Sequence, residues 1–216
     1  MNVEAEKRLA ADAAAQLVTD DMTVGLGTGS TVAYLLVALA RAGVAARYVA
    51  SSPRTEAAAR SLGLRLEPFN TLAHLDLAID GADQISESGW LIKGGGGAHT
   101  REKIICCAAA RYVVIADSTK AVSDLHAPVP LELLAFGLES TLARLGHARV
   151  RPEPASPDGG VLAEYLGVIE DPRALAAWLA NTPGVIEHGL FAPELVSDVY
   201  VGIGKTVRTT TSGGDE

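Results

Sequence analysis

The sequence predicts an α/β fold: a mainly parallel sheet covered by helices on both faces, followed by a smaller α+β unit. Strand-like and helix-like segments alternate from the N-terminus to about residue 116, which is the mark of consecutive βα units. Beyond the prolines near residue 128 the pattern becomes a mixture of short strands and helices. At 216 residues the chain can bury a sizeable core, and that length fits one domain or one domain with a small companion.

Residues 4–18 are Ala-rich and amphipathic and predict a first helix. Residues 22–26 make a short apolar strand, and 31–42 are helical again. A strand at 46–50, a helix at 54–62, a short strand near 65–66 and an apolar strand at 75–79 continue the alternation. A glycine-rich block then leads into a helix at about 100–111 and a strand at 112–116. The second unit reads as helices at 131–145 and 172–181, with strands at 148–150, 161–166, 185–188 and 190–191. Residues 198–204 form a last strand that can rejoin the first sheet, so the expected domains are 1–126 plus 199–216, and 127–198. The small polar residues 209–216 read as a frayed end.

Composition narrows the function. Eighteen basic against 26 acidic residues give a net charge of −8, which opposes nonspecific attraction to nucleic acid. An anionic ligand must then be held by a local device. Aromatic residues are only 5% of the chain, too few to favour stacking on bases. No apolar run reaches membrane-span length, and the N-terminal residues lack the order of a signal peptide, so a cytoplasmic location is expected. Cys106 and Cys107 are adjacent in an apolar stretch and read as reduced thiols on a buried helix, while the five histidines form no zinc-ligand cluster.

Three segments carry chemistry. Gly25-Leu26-Gly27-Thr28-Gly29-Ser30-Thr31 lies between a strand and a helix, where backbone N–H groups and the helix dipole can hold an anion. The dinucleotide fingerprint fails at Ser30, and a Walker A loop fails for want of its lysine. A glycine turn that only caps the helix is the alternative. Asp80-Gly81-Ala82-Asp83 follows a strand, placing two carboxylates where open α/β sheets bind ligands. They can orient sugar hydroxyls, or serve only as a turn cap and a helix start; no third carboxylate nearby completes a Mg²⁺ site. Lys93-Gly94-Gly95-Gly96-Gly97-Ala98-His99-Thr100-Arg101-Glu102-Lys103 combines four costly glycines with Glu102 in the next helix's first turn. There the dipole favours an ionised carboxylate, available as a base or chosen for the dipole alone.

These motifs, together with Gln84-Ile85 and Asp117-Ser118-Thr119-Lys120, resemble in order and spacing those of the ribose-5-phosphate isomerase type A family. The resemblance runs to about residue 135 and more loosely to Gly204, through Thr182-Pro183-Gly184-Val185 and Gly189-Leu190-Phe191. It implies a Rossmann-like parallel-sheet domain with a smaller ferredoxin-like α+β domain, in a homodimer or a dimer of dimers. The implied activity interconverts D-ribose-5-phosphate and D-ribulose-5-phosphate through an enediolate, in the non-oxidative pentose phosphate pathway, with no cofactor and no metal. The implied partner is a small sugar phosphate, neither nucleic acid nor membrane. On this sequence Glu102 becomes the base, with Lys93, Asp80 and Asp83 beside it in catalysis. Thr28, Gly29, Ser30, Thr31, Asp80, Gly81, Ala82, Asp83, Lys93, Gly94, Gly95, Gly96 and Lys120 become the substrate-binding set, with Lys7 a further reach toward the phosphate.

Two departures from the family pattern stand out. His99 occupies a position that is commonly apolar, where it is expected to alter packing of the glycine loop. Residues 156–164 replace a strand-turn-strand that typically reads Thr-Asp-Asn-Gly-Asn. A sugar-phosphate sensor without turnover is the rival from another class, disfavoured by the lack of a DNA-reading domain.

Overall fold

The computed structural model describes residues 2–211. Packing divides the described residues into two units, one of 2–82, 101–121 and 194–211, the other of 83–100 and 122–193.

The first unit is built on a six-stranded sheet in the order Thr206–Thr211, Asp198–Ile203, Tyr112–Asp117, Leu77–Gly81, Thr23–Leu26, Arg47–Ala50. All neighbours are parallel except the outer hairpin, in which Asp198–Ile203 pairs antiparallel with Thr206–Thr211. The central strands Thr23–Leu26 and Tyr112–Asp117 are buried at every position, as continuous apolar runs between two helical layers require. Val24, Leu26, Leu77, Ile79, Val113 and Ile115 share one core with helices Val3–Ala15 and Ser30–Ala42. Their neighbours in sequence face the other way: a Cβ on Gly25 would lie 2.4 Å from Ile105, so helix His99–Ala108 covers that second face.

Helix ends follow local chemistry. Asn2 caps Val3–Ala15 by accepting from Ala5 N–H, and Ser52 caps Pro53–Ser61 by accepting from Thr55 N–H, with Pro53 at the first helical position.

In the second unit the chain runs strand Val129–Leu133, helix Leu138–Leu145, strands Ala148–Val150 and Val161–Tyr165, helix Pro172–Ala180 and strand Val185–His188. The four strands form an antiparallel sheet in the order Val185–His188, Val129–Leu133, Val161–Tyr165, Ala148–Val150. This βαββαβ arrangement is ferredoxin-like. Residues 83–100 pack with this unit: Gln84–Ser86 and Leu91–Ile92 form a hairpin, and Leu190–Phe191 pairs with the latter. Trp90, Ile92, Leu131, Leu133, Leu179 and Leu190 meet in its core.

Four expectations are corrected. The helix at 131–145 begins only at Leu138; Val129–Leu133 is a strand because Leu131 and Leu133 enter the core on one face while Glu132 points to the other, and Gly137, at φ 69°, makes the turn into the helix. Thr209–Thr211 belong to a six-residue edge strand, held by the ladder to Asp198–Tyr200; the rest of the expected frayed end, 212–216, lies outside the described residues. The strand near 65–66 is reduced to an isolated bridge between Tyr48 and Leu66. The adjacent thiols, expected together on a buried helix, are divided: Cys106 is buried and Cys107, about 100° further round the helix, is exposed. No helix among the described residues is long and apolar enough to cross a membrane.

Candidate active site

In the first unit the glycine loop and the acidic strand end form one structure. Asp80, at 2% exposure, lies where a side chain on Gly27 would be: a Cβ there would stand 1.7 Å from Asp80 Oδ1. Gly27 is therefore glycine for close approach. Asp80 Oδ1 accepts from Thr28 N–H at 3.1 Å and from Gly81 N–H at 2.6 Å, so the loop fixes the carboxylate. The Thr28 hydroxyl is engaged as well, with Ser51 Oγ at 2.9 Å, Ser52 Oγ at 2.7 Å and Thr55 Oγ1 at 3.2 Å. Thr55 in turn donates to Gly27 O at 2.9 Å, tying the loop to the next βα turn.

Gly29 precedes helix Ser30–Ala42 at φ 137°, a conformation that favours glycine, and no side chain caps this helix. Its first turn keeps the N–H groups that a helix leaves unsatisfied, beside an exposed Ser30 and a buried Thr31. Ala82 follows the strand end and is half-buried. Glu102 sits in the first turn of His99–Ala108 and is only 3% exposed, in the field of the helix N-terminus, which favours its charged form.

Lys120 ends a 3₁₀ turn, Ser118–Lys120, that two buried carboxylates hold. Asp117 accepts from Thr119 N–H at 3.0 Å and from the Thr119 hydroxyl. Glu6, missed by sequence reasoning, accepts from Ser118 N–H at 3.1 Å, Ser118 Oγ–H at 2.6 Å and Gly204 N–H at 2.8 Å, joining the N-terminal helix to the turn and the last hairpin. The bonds from Ser118 and Gly204 hold the Glu6 carboxyl below the ordinary value of 4.5. A lowered pKa means stability that is present above the ordinary value and lost as pH falls through the folded one. The difference in Tm between wild type and Glu6→Gln should be largest near neutrality and close on acidification; a pH-independent difference would contradict it. Lys7 is next in sequence, paired with Glu4 at 2.9 Å.

In the second unit Asp83 is exposed, and its Oδ2 accepts from Gly95 N–H at 2.8 Å. Lys93 is 2% exposed, its ammonium 5.4 Å from the centroid of Phe191, a cation–π distance that offsets part of its burial. Gly94 stands at φ 107° with His99 where its Cβ would be, at 2.8 Å, so His99 is packed beneath the loop. Gly95 and Gly96 are exposed. From below, Arg151 donates to Gly94 O at 3.1 Å and Gly95 O at 2.9 Å. Glu132, 1% exposed, accepts from Thr100 Oγ–H and from Ser156 Oγ–H. The divergent 156–164 segment thus keeps a tight turn around Ser156, whose Oγ also accepts from Asp158 and Gly160 N–H.

Sequence reasoning missed Glu6, Glu132 and Arg151, since no motif marks a side chain that supports a segment distant in sequence. The Ser51-Ser52-Pro53 run did carry a helix-start signal. Among the described residues no group of three or more His, Cys, Asp and Glu is placed to hold a metal ion.

A mainly parallel sheet with buried carboxylate and hydroxyl groups at its strand carboxyl ends defines an α/β protein of the ligand-binding class. Residues 47–206 match the family model of ribose 5-phosphate isomerase A (phosphoriboisomerase A). The chain belongs to this family of isomerases. It is 44% identical to ribose-5-phosphate isomerase A of Methanosarcina acetivorans over 91% of this chain and 90% of that one. It is 42% identical to that of Caulobacter vibrioides, over 94% and 96%. Among solved structures, ribose 5-phosphate isomerase A of Methanocaldococcus jannaschii matches with a TM-score of 0.89 at 31% identity, covering 95% of this chain and 98% of that one. A D-ribose-5-phosphate isomerase in complex with phospho-erythronic acid matches with a TM-score of 0.91 at 32% identity, covering 98% and 100%.

Proposed function

We propose that this chain interconverts D-ribose-5-phosphate and D-ribulose-5-phosphate by proton transfer through an enediolate, with Glu102 as the base. The observation that carries the reading is a carboxylate only 3% exposed in the first helical turn after a four-glycine loop, in a chain of this family. From the open-chain aldose, Glu102 takes the proton on C2; the C–H electrons form the C1=C2 bond and the carbonyl π electrons move to O1. The carboxylic acid then returns the proton to C1 while the O2 hydroxyl proton passes to O1, leaving the ketone at C2.

Lys93 supplies positive charge for the developing oxyanion. Asp80 and Asp83 orient hydroxyls and assist ring opening, each already fixed by backbone N–H donors. Thr28 acts through Asp80, because its N–H and hydroxyl are both engaged within the protein, and the phosphate falls to the N–H groups of Gly29–Thr31, the hydroxyls of Ser30 and Thr31, and Lys120. The same reading gives a cytoplasmic enzyme of the non-oxidative pentose phosphate pathway, a homodimer or a dimer of dimers.

The test is turnover of ribose-5-phosphate by purified protein with chelator present and no nucleotide. Undiminished activity is expected. Loss with EDTA, restored by Mg²⁺, would recast Asp80 and Asp83 as metal ligands, and binding without turnover would make the chain a sensor.

A further inference from the structure

The loop at 94–96 is gripped from two sides, and the grip decides where its remaining donor points. Four glycines in succession have more backbone freedom to lose than any other residues, so groups outside the loop must set its peptide orientations. In a trans peptide the C=O and N–H point in opposite directions, and the only cis bond among the described residues is Ala127–Pro128. Across the peptide joining Gly94 to Gly95, the carbonyl accepts from Arg151 Nη1 at 3.1 Å and the N–H donates to Asp83 Oδ2 at 2.8 Å, so Arg151 and Asp83 hold its two ends. Across the next peptide the Gly95 carbonyl accepts from Arg151 Nη2 at 2.9 Å, which turns Gly96 N–H away from the guanidinium. Gly97 N–H folds back to Gly94 O at 3.0 Å, whereas Gly96 N–H meets no acceptor among the described residues, and Gly96 is exposed.

We propose that Arg151 is a positioning residue for the isomerisation, setting the loop so that Gly96 N–H donates to the substrate oxygen that gains charge. This rests on the reading of residues 93–96 as the substrate loop. An arginine suits that role, because the guanidinium is a planar fork that reaches two carbonyls at once, which a lysine ammonium cannot do with fixed geometry. Arg151 is 9% exposed and is itself steadied by Glu153, with Nε to Oε2 at 3.1 Å and Nη2 to Oε1 at 3.3 Å. Its charge also polarises the peptides it grips, making their N–H groups stronger donors.

Arg151→Ala should lower kcat by about tenfold to a hundredfold with KM changed little, the scale of displacing one oxyanion donor. Arg151→Lys should fall between, and added guanidinium should restore part of the Ala variant's turnover. A phosphorylated hydroxamate that mimics the enediolate should lose affinity for Arg151→Ala in step with kcat. Arg149→Gln, at an exposed arginine paired with Glu164, is the control with wild-type kcat. A folded Arg151→Ala with wild-type kcat overturns the proposal. If that variant does not fold, Glu153→Gln takes its place: a smaller fall in kcat supports the proposal and an unchanged kcat overturns it. A wild type without isomerase activity would defeat the functional reading instead, and the inference is then read from the Gly96 amide. Its proton resonance should move on adding ribose-5-phosphate to wild type and not to Arg151→Ala, and no movement in wild type overturns it.

Discussion

Glu102→Gln is expected to lower kcat by about two to four orders of magnitude while ribose-5-phosphate binding stays within roughly tenfold. The substitution keeps the size and planarity of the side chain and removes the group that can accept a proton. Its position supports the assignment: Glu102 is 3% exposed and lies in the first turn of a helix, where the dipole offsets part of what burial costs the charged form. Calorimetry and steady-state kinetics on one preparation separate binding from chemistry. Retention of most turnover would move the base to Asp80 or Asp83.

Gly27→Ala should damage both stability and activity. Its new Cβ would stand 1.7 Å from Asp80 Oδ1 and 1.8 Å from Asp80 Cγ, so the carboxylate must leave its place. Leaving it breaks the bonds from Thr28 and Gly81 N–H to a carboxylate that is 2% exposed. Charged hydrogen bonds lost in a buried setting make a destabilisation of about 2–4 kcal/mol the expected result. For a chain of this size that lowers Tm by about 5–15 °C. Because Asp80 is assigned to the substrate hydroxyls, kcat/KM of the folded fraction should fall too. An alanine variant with wild-type Tm and kinetics would show that Asp80 can occupy another position without loss.

Much of this was legible in the sequence because it depended on local pattern. The βα alternation through residue 116 placed the loop at 25–31 and the Asp80 strand end at sheet carboxyl edges, where they stand. Periodicity failed where a short run suits two structures. Val129–Leu133 carries apolar residues compatible with a helix, and only pairing with Val161–Tyr165 and Val185–His188 makes it a strand. Thr206–Thr211 is polar throughout apart from Val207, as an edge strand can be, so little in its composition separated it from a frayed end. The supports of the site were illegible for a different reason. Glu6 meets its partners 112 and 198 positions away, and Arg151 reaches back 57 and 56 positions to the glycine loop, distances at which sequence spacing carries no information.

Solvent exchange during turnover tests the central claim most directly. Ribose-5-phosphate and ribulose-5-phosphate are brought to equilibrium in D₂O by the wild-type chain, and deuterium at C2 of the aldose and C1 of the ketose is followed by NMR over many turnovers. A proton carried by Glu102 can exchange with solvent while it rests on the carboxylate, so deuterium should accumulate at both carbons, and Glu102→Gln should slow the accumulation and the isomerisation together. Protium retained at both carbons after many turnovers would mean that hydrogen moves directly between them, and would contradict a carboxylate base.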